Sequence, residues 1–264
     1  MARLGHTLLV AAVALVACSK RATVPPRVEK AWSNSLQMPF VPVEGTAVLF
    51  SVFETRDKDF QVYVKETGTE WIPPDAETGG EYPAANVTWD DAVAFCEWLT
   101  QREHASGVLP QPRRYRLPTD AEWSIAAGLE EDGTGTPAEK SQVTILRYVW
   151  GGSWPPPTGA GNFAGDEAPV DKSESNLFIA GYNDGYARLA PVGRFAANQF
   201  GLHDLAGNVL EFSEDWLDAS HRGRVARGGS WMSGDPRTLA ATHRAEIPPR
   251  AGLDVTGFRC VLER

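Results

Sequence analysis

Long apolar runs are missing from this sequence. The longest, Leu8 to Ala17, falls well short of the roughly 20 residues that a membrane-spanning helix needs. Positive charge is also in short supply, with 25 Lys and Arg against 34 Asp and Glu, a net charge of −9. A protein whose affinity came from neutralising phosphates would need the opposite sign. Nucleic acid is therefore excluded as a partner, and so is adhesion to an anionic lipid surface through charge. No internal repeat and no second domain boundary interrupts the chain.

Cysteine is scarce too, and the three positions divide by context. Arg3 supplies positive charge ahead of the apolar run, and Leu15-Val16-Ala17-Cys18 reads as a lipobox with small residues before the cysteine to be acylated. A run this short is the apolar part of a signal peptide. Residues 1–17 are thus expected to be removed, leaving Cys18 lipidated and residues 18–37, polar and carrying Pro25-Pro26, as a tether. More than one acyl chain on Cys18 would hold the protein to a membrane stably. Ser19 rather than aspartate after Cys18 points to the outer membrane of a diderm cell. Cys96 and Cys260 remain as an even pair in an exported chain, for which a disulfide is the default reading.

What is abundant is glycine (25), proline (19) and tryptophan (9), within 42% apolar residues. That mixture suits a loop-rich domain with a real core over residues 38–264. Phe40 to Val64 alternates in short runs that predict strands. A helix is expected from Thr88 or Asp90, because Ala92, Phe95, Cys96 and Leu99 share one face. A second is expected after Thr119, where Glu122 completes a capping-box pattern. From Gly128 to Ala190 there is little periodicity, and so long an irregular stretch needs something else, such as a bound ion, to order it. Arg224 to Trp231 and Gly257 to Leu262 read as short strands.

Six segments then arrive in a specific order. They are Val87-Thr88-Trp89-Asp90-Asp91-Ala92 with Phe95-Cys96-Glu97-Trp98; Tyr115-Arg116-Leu117-Pro118-Thr119-Asp120-Ala121-Glu122-Trp123; and Val149-Trp150-Gly151. Phe200-Gly201-Leu202-His203-Asp204-Leu205-Ala206-Gly207-Asn208-Val209-Leu210-Glu211-Phe212 follows, then Arg227-Gly228-Gly229-Ser230-Trp231 and Gly257-Phe258-Arg259-Cys260. Together they resemble the formylglycine-generating enzyme, or sulfatase-modifying factor, family. The resemblance implies an α+β fold, an irregular, loop-rich variant of the C-type lectin fold, and it implies a Cys96–Cys260 disulfide.

It also implies calcium. One family site would use Asn162, Phe163, Asp184 and Tyr186; the other would use the side chains of Asn208 and Glu211 with carbonyls around Ala206 and Gly207. Oxygen donors of these kinds suit a hard cation that takes 6–8 ligands.

The family's oxidases hold copper with two cysteines, and those positions are Ser233 and Thr238 here, beside a retained Ser230 and Trp231. Hydroxyls are poor ligands for soft Cu(I) and cannot exchange with a substrate thiol. The family asparagine before the last motif is replaced by Val255. The copper site of the oxidases is therefore not expected. The histidines, His6, His104, His203, His221 and His243, do not form the iron-binding arrangement of a related branch, although His243 and Glu246 fall near the pocket. No G-x-S-x-G elbow marks a serine hydrolase. Arg237, Arg244 and Arg250 near the pocket motif suggest a cleft for a carboxylate or peptide. The expectation is a noncatalytic, membrane-anchored binding or structural module of the cell envelope, with a peptide, glycan or envelope protein as partner. The alternative is a metal-dependent oxidoreductase of the same superfamily with an altered active site.

Overall fold

The computed structural model describes Met1 and residues 31–74, 79–131, 133–142, 146–152, 154–174 and 177–264. The apolar run, Cys18 and the first part of the tether lie outside the described residues. From the amino end the strands and helices are β1 (Trp32–Ser33), β2 (Pro39–Pro42), β3 (Val48–Ser51), α1 (Asp57–Thr67), α2 (Trp89–Ser106), β4 (Tyr115–Arg116), α3 (Asp120–Ala126) and α4 (Pro137–Lys140). The carboxyl half adds β5 (Leu210–Trp216), β6 (Arg224–Arg227), β7 (Ala245–Ile247), β8 (Thr256–Gly257) and β9 (Val261–Glu263). Helices with two curled sheets and long irregular connections make this an irregular α+β fold.

One sheet runs β1-β2-β3-β9-β4 and is antiparallel throughout. The other runs β7-β6-β5-β8, with β8 parallel to β5. Both faces of the first sheet are covered, and the period of two shows it. Leu49 and Leu262 face one core with Phe60, Phe95 and Phe258; Val48, Phe50 and Val261 face another with Trp123 and Leu205. β9, near the end of the chain, thus pairs between β3 and β4 and closes the domain.

Local signals explain the helices. Thr88 accepts from the N–H of Asp91, whose carboxylate accepts from the N–H of Thr88, so α2 opens on a reciprocal box; Thr119 and Glu122 do the same for α3. Two expectations need correction. Residues 57–64, expected to be strand, belong to α1, which opens where the Asp59 carboxylate accepts both the backbone N–H and the Nε–H of Arg56. Phe60 and Tyr63 then recur at helical spacing and pack on Phe95; short apolar runs do not discriminate the two periods. The tether also ends sooner than expected, since Trp32 and Ser33 pair with β2, and Trp32 donates to the Tyr115 hydroxyl at 3.0 Å.

Among its described residues, the stretch from Gly128 to Ala190 contains only α4 as regular structure. Phe163, Ile179 and Tyr182 anchor it in a third core with Ala206 and Leu239. Asn162 also bridges to Gly207, where φ is +82° and a Cβ would sit 2.0 Å from the Asn162 carbonyl oxygen. Only glycine permits that approach. Among the described residues, no helix is long and apolar enough to cross a membrane.

Candidate functional site

The segment after β6 carries the positions that the resemblance assigns to a pocket. Gly228 and Gly229, both at positive φ, end the strand and turn the chain into Ser230. Ser230 and Trp231 are buried. Ser233 folds back, its Oγ accepting the N–H of Ser230 at 3.1 Å and lying 3.5 Å from the Ser230 Oγ. Thr238 is half-buried and spends its hydroxyl on the carbonyl of Asp235. A hollow of about 390 Å³, lined by Trp154, Phe178 and Asp235 among others, flanks the turn between Ser233 and Thr238. The structure thus brings Ser230, Ser233 and the Thr238 segment together around Gly229, whose added Cβ would meet both the Ser233 Oγ and the Thr238 carbonyl.

Arg244 does not belong to that hollow, which corrects the expected arginine-lined cleft. Its side chain is 0% exposed and donates to Asp120, Glu131 and Ser124. Asp120 also accepts from Arg227. Burial works to raise the Asp120 carboxyl, but Arg227 and Arg244 outweigh it and hold the group below the usual carboxylate range. Two buried guanidinium groups are thereby matched by Asp120 and Glu131. Arg237 is exposed, and Arg250 reaches Asp90 at 3.5 Å on the surface. Burial pushes the His243 imidazole down, while Glu246 faces Arg222 at 3.8 Å; the two do not form a site.

The first expected cation site brings Asn162 and Asp184 to one place. Asp184 accepts the N–H of Phe163 at 2.8 Å through one oxygen and that of Tyr186 at 2.9 Å through the other. Burial, with Glu167 adding to it, pushes the Asp184 carboxyl up to about 7 against those two N–H groups. The Glu167 Oε1 accepts the Asp184 N–H, while its Oε2 is buried without a partner. The Asn162 amide donates to the Arg188 carbonyl and to Asn208, and its own Oδ1 is a second buried oxygen without a donor. Two unsatisfied buried oxygens beside a carboxyl are a donor set that suits a hard cation. Glu167 was not legible as a member in the sequence.

At the second expected site the named donors are already engaged. Asn208 donates to Glu54 and to the Ala190 carbonyl, and its Oδ1 accepts from Asn162 and from the Ala190 N–H. Both oxygens of Glu211 are taken by Arg259, and one also accepts the Trp123 indole N–H. Ala206 and Gly207 are buried beside them. This donor set does not fit a cation. The unsatisfied oxygen nearby is the Asp204 Oδ1. Burial, with Asp204 and Glu211 close by, pushes the wholly buried Glu54 carboxyl well up. Glu54 lies in none of the sequence motifs, and Asp204, inside one of them, carries no expected role there. Among the described residues, no group of three or more His, Cys, Asp and Glu side chains is arranged to hold a metal ion.

Cys96 and Cys260 are buried neighbours, their sulfurs 3.6 Å apart, and both are thiols in this structure. A disulfide would require about 2.05 Å. Burial pushes the Cys96 thiol up.

The sulfatase-modifying factor enzyme 1-like domain family matches residues 33–264. Inactive C-alpha-formylglycine-generating enzyme 2 of Bos taurus is 34% identical over 190 residues, covering 68% of this chain and 50% of that protein. Formylglycine-generating enzyme of Thermomonospora curvata is 28% identical over 235 residues, covering 76% and 64%. The chain thus spans about half to two thirds of the length of these relatives. Among solved structures, PvdO from Pseudomonas aeruginosa shares the fold at 19% identity with a TM-score of 0.60, covering 90% of this chain and 99% of that one. With its whole described domain matched by one family and that family's fold around the Gly229–Ser230 turn, the chain belongs to the sulfatase-modifying factor family.

Proposed function

We propose that this chain is a noncatalytic member of its family, exported and lipid-anchored through Cys18, that acts as a binding or structural module in the cell envelope. The observation that carries the reading is the pair Ser233 and Thr238, whose hydroxyls are bonded within their own turn rather than offered to a metal. Two thiolates are needed to hold Cu(I) and to exchange with a substrate thiol. Cys96 and Cys260 cannot take their place, because both are buried in the core, Cys96 on the inner face of α2. The 34% identical relative is itself named as an inactive formylglycine-generating enzyme, which supports the reading. The hollow beside the Ser233–Thr238 turn is the surface on which a peptide, glycan or envelope protein would dock.

Calcium belongs to this proposal as a structural ion at the first site. Asn162, Asp184 and Glu167 would hold it, with carbonyls of the Phe163 and Tyr186 segments. Its charge would satisfy the two orphaned oxygens and let Asp184 ionise. The test of the whole reading incubates the protein with copper, oxygen and a cysteine-containing sulfatase peptide and follows peptide mass. No mass change above the enzyme-free control is expected. Turnover would replace this reading with a metal-dependent oxidoreductase of altered active site.

A further inference from the structure

The hollow beside the Ser233–Thr238 turn has one ionisable side chain on its described lining, Asp235. One carboxylate oxygen, Oδ1, accepts the Arg237 N–H at 2.7 Å. The Asp235 carbonyl accepts the Thr238 hydroxyl and the Leu239 N–H, so the turn holds the residue in place. The second carboxylate oxygen takes no hydrogen bond and, on a half-buried residue, is open to solvent. Unlike the buried Asp204 Oδ1, it can be reached from outside without any movement of the fold.

Trp154, Pro155, Phe178 and Pro236 form apolar walls around it. Backbone contacts fix the Phe178 wall to the turn. A Cβ on Gly234 would lie 2.5 Å from the Phe178 Cα and 2.6 Å from the Leu177 carbonyl oxygen, an approach that glycine permits. The Ala164 N–H donates to the Ser233 carbonyl at 3.1 Å, and the Ala164 carbonyl accepts the Ile179 N–H at 2.7 Å. A preformed hollow spares a ligand the cost of ordering it. Apolar surface continues beyond the walls, with Leu177 36% and Met232, two residues before Gly234, 48% exposed.

Taking the hollow as the docking surface of a noncatalytic module, we propose that it seats a lysine side chain of an extended protein segment, its ammonium on the open oxygen of Asp235. Long basic side chains lay their methylenes on apolar walls and keep the charge at a polar edge. Aromatic rings such as Trp154 and Phe178 add attraction for the cation. A single open oxygen suits an ammonium, whereas the planar fork of arginine matches two. Lys172 does not fill the place: its ammonium is bonded to the Gly165 carbonyl at 2.8 Å and lies over the Phe178 ring at 4.5 Å. Asp235 and the exposed Asp171 and Glu174 outnumber Lys172 and Arg237 here, on a chain of net charge −9, which favours a basic partner. A free amine would leave Leu177 and Met232 uncovered, and a protein segment would bury them.

The test screens the full-length protein against an array of random octapeptides, then titrates the strongest binder by fluorescence anisotropy. Bound peptides are expected to be enriched in lysine next to an apolar residue. Asp235→Asn keeps an oxygen for the Arg237 N–H and should weaken the selected peptide about threefold to fivefold, the worth of a partly exposed ion pair. Glutamate in place of the peptide's lysine should abolish binding. Met232→Ser, an exposed change, should weaken the peptide severalfold with an unchanged melt, and reads the surface independently should the Asp235 variant fold poorly. Butylamine is the free-amine control. No enrichment in lysine, binding unaltered by Met232→Ser or by a folded Asp235→Asn protein, or butylamine binding as tight as the peptide's would each overturn the proposal. Those results leave the noncatalytic reading standing, which only oxidation of the sulfatase peptide removes.

Discussion

Arg259 donates to both carboxylate oxygens of Glu211, and neither side chain is more than 1% exposed. The pair joins the short link between β8 and β9 to the start of β5. Breaking one partner leaves an uncompensated buried charge. Arg259→Leu is expected to cost about 3–5 kcal/mol, more than Arg114→Leu, whose ion pair with Glu263 is partly exposed. Urea unfolding of the two variants checks the ranking, and equal midpoints would refute it.

Calcium is expected to raise the melting temperature, and to do so more strongly as pH rises. Asp184 is an acid whose folded value is raised to about 7, against about 3.9 for an unfolded chain. Between these pH values the metal-free folded state holds a proton that the unfolded state has lost, so this group's contribution falls as pH increases. Calcium must displace that proton, so its stabilisation grows through pH 7. At a hundredfold excess over Kd the gain is about 2.7 kcal/mol. Asp184→Asn should remove the calcium response; melts at pH 6 and 8, with and without chelator, read both effects.

Cys96 and Cys260 are expected to be bonded when the protein is isolated from an oxidising compartment. Their sulfurs already adjoin in the core, with Thr55 at 3.7 Å from Cys260. Thiol counting under denaturing conditions should find none before reduction and two after, apart from Cys18. Reduction should lower stability by up to about 5 kcal/mol, since the loop closed is long. Two reactive thiols before reduction would contradict this.

Restoring thiols at the family positions is expected to create a Cu(I) site. Ser233 and Thr238 both border Gly229, so Ser233→Cys with Thr238→Cys would place two soft ligands on one turn. Titration with a Cu(I) chelator competitor should show one tight site in the double variant and none in the wild type. Oxidase turnover need not follow, because Val255 also departs from the oxidase pattern.

The parts of this protein that read correctly from sequence are local or linear. Thr88 with Asp91 and Thr119 with Glu122 are three residues apart, so their reciprocal bonds exist wherever the helix does. The ordered motifs identified the family, and two positions just after the fifth of them, Ser233 and Thr238, carry hydroxyls where the resemblance implies thiols. Where the same local logic met a short apolar run, as at residues 57–64, it named the wrong period. Phe60 and Tyr63 serve either structure until α2 supplies a neighbour.

The sequence by itself determined the family, the caps and the absence of thiols from the Ser233–Thr238 turn. Which polar side chains remain free was decided only by tertiary structure. Arg244 looks like a pocket cation in sequence, yet Asp120, 124 positions earlier, takes it into the interior. Asn208 and Glu211 look like cation ligands until Glu54, 154 positions before Asn208, and Arg259, 48 after Glu211, engage them. Asp204 looks like one more acidic residue, and its unsatisfied oxygen exists only because folding buries it and spends Arg259 elsewhere. Hydrogen-bond valence is used up by whatever group the fold brings within about 3 Å, and partners distant in sequence leave no periodic trace.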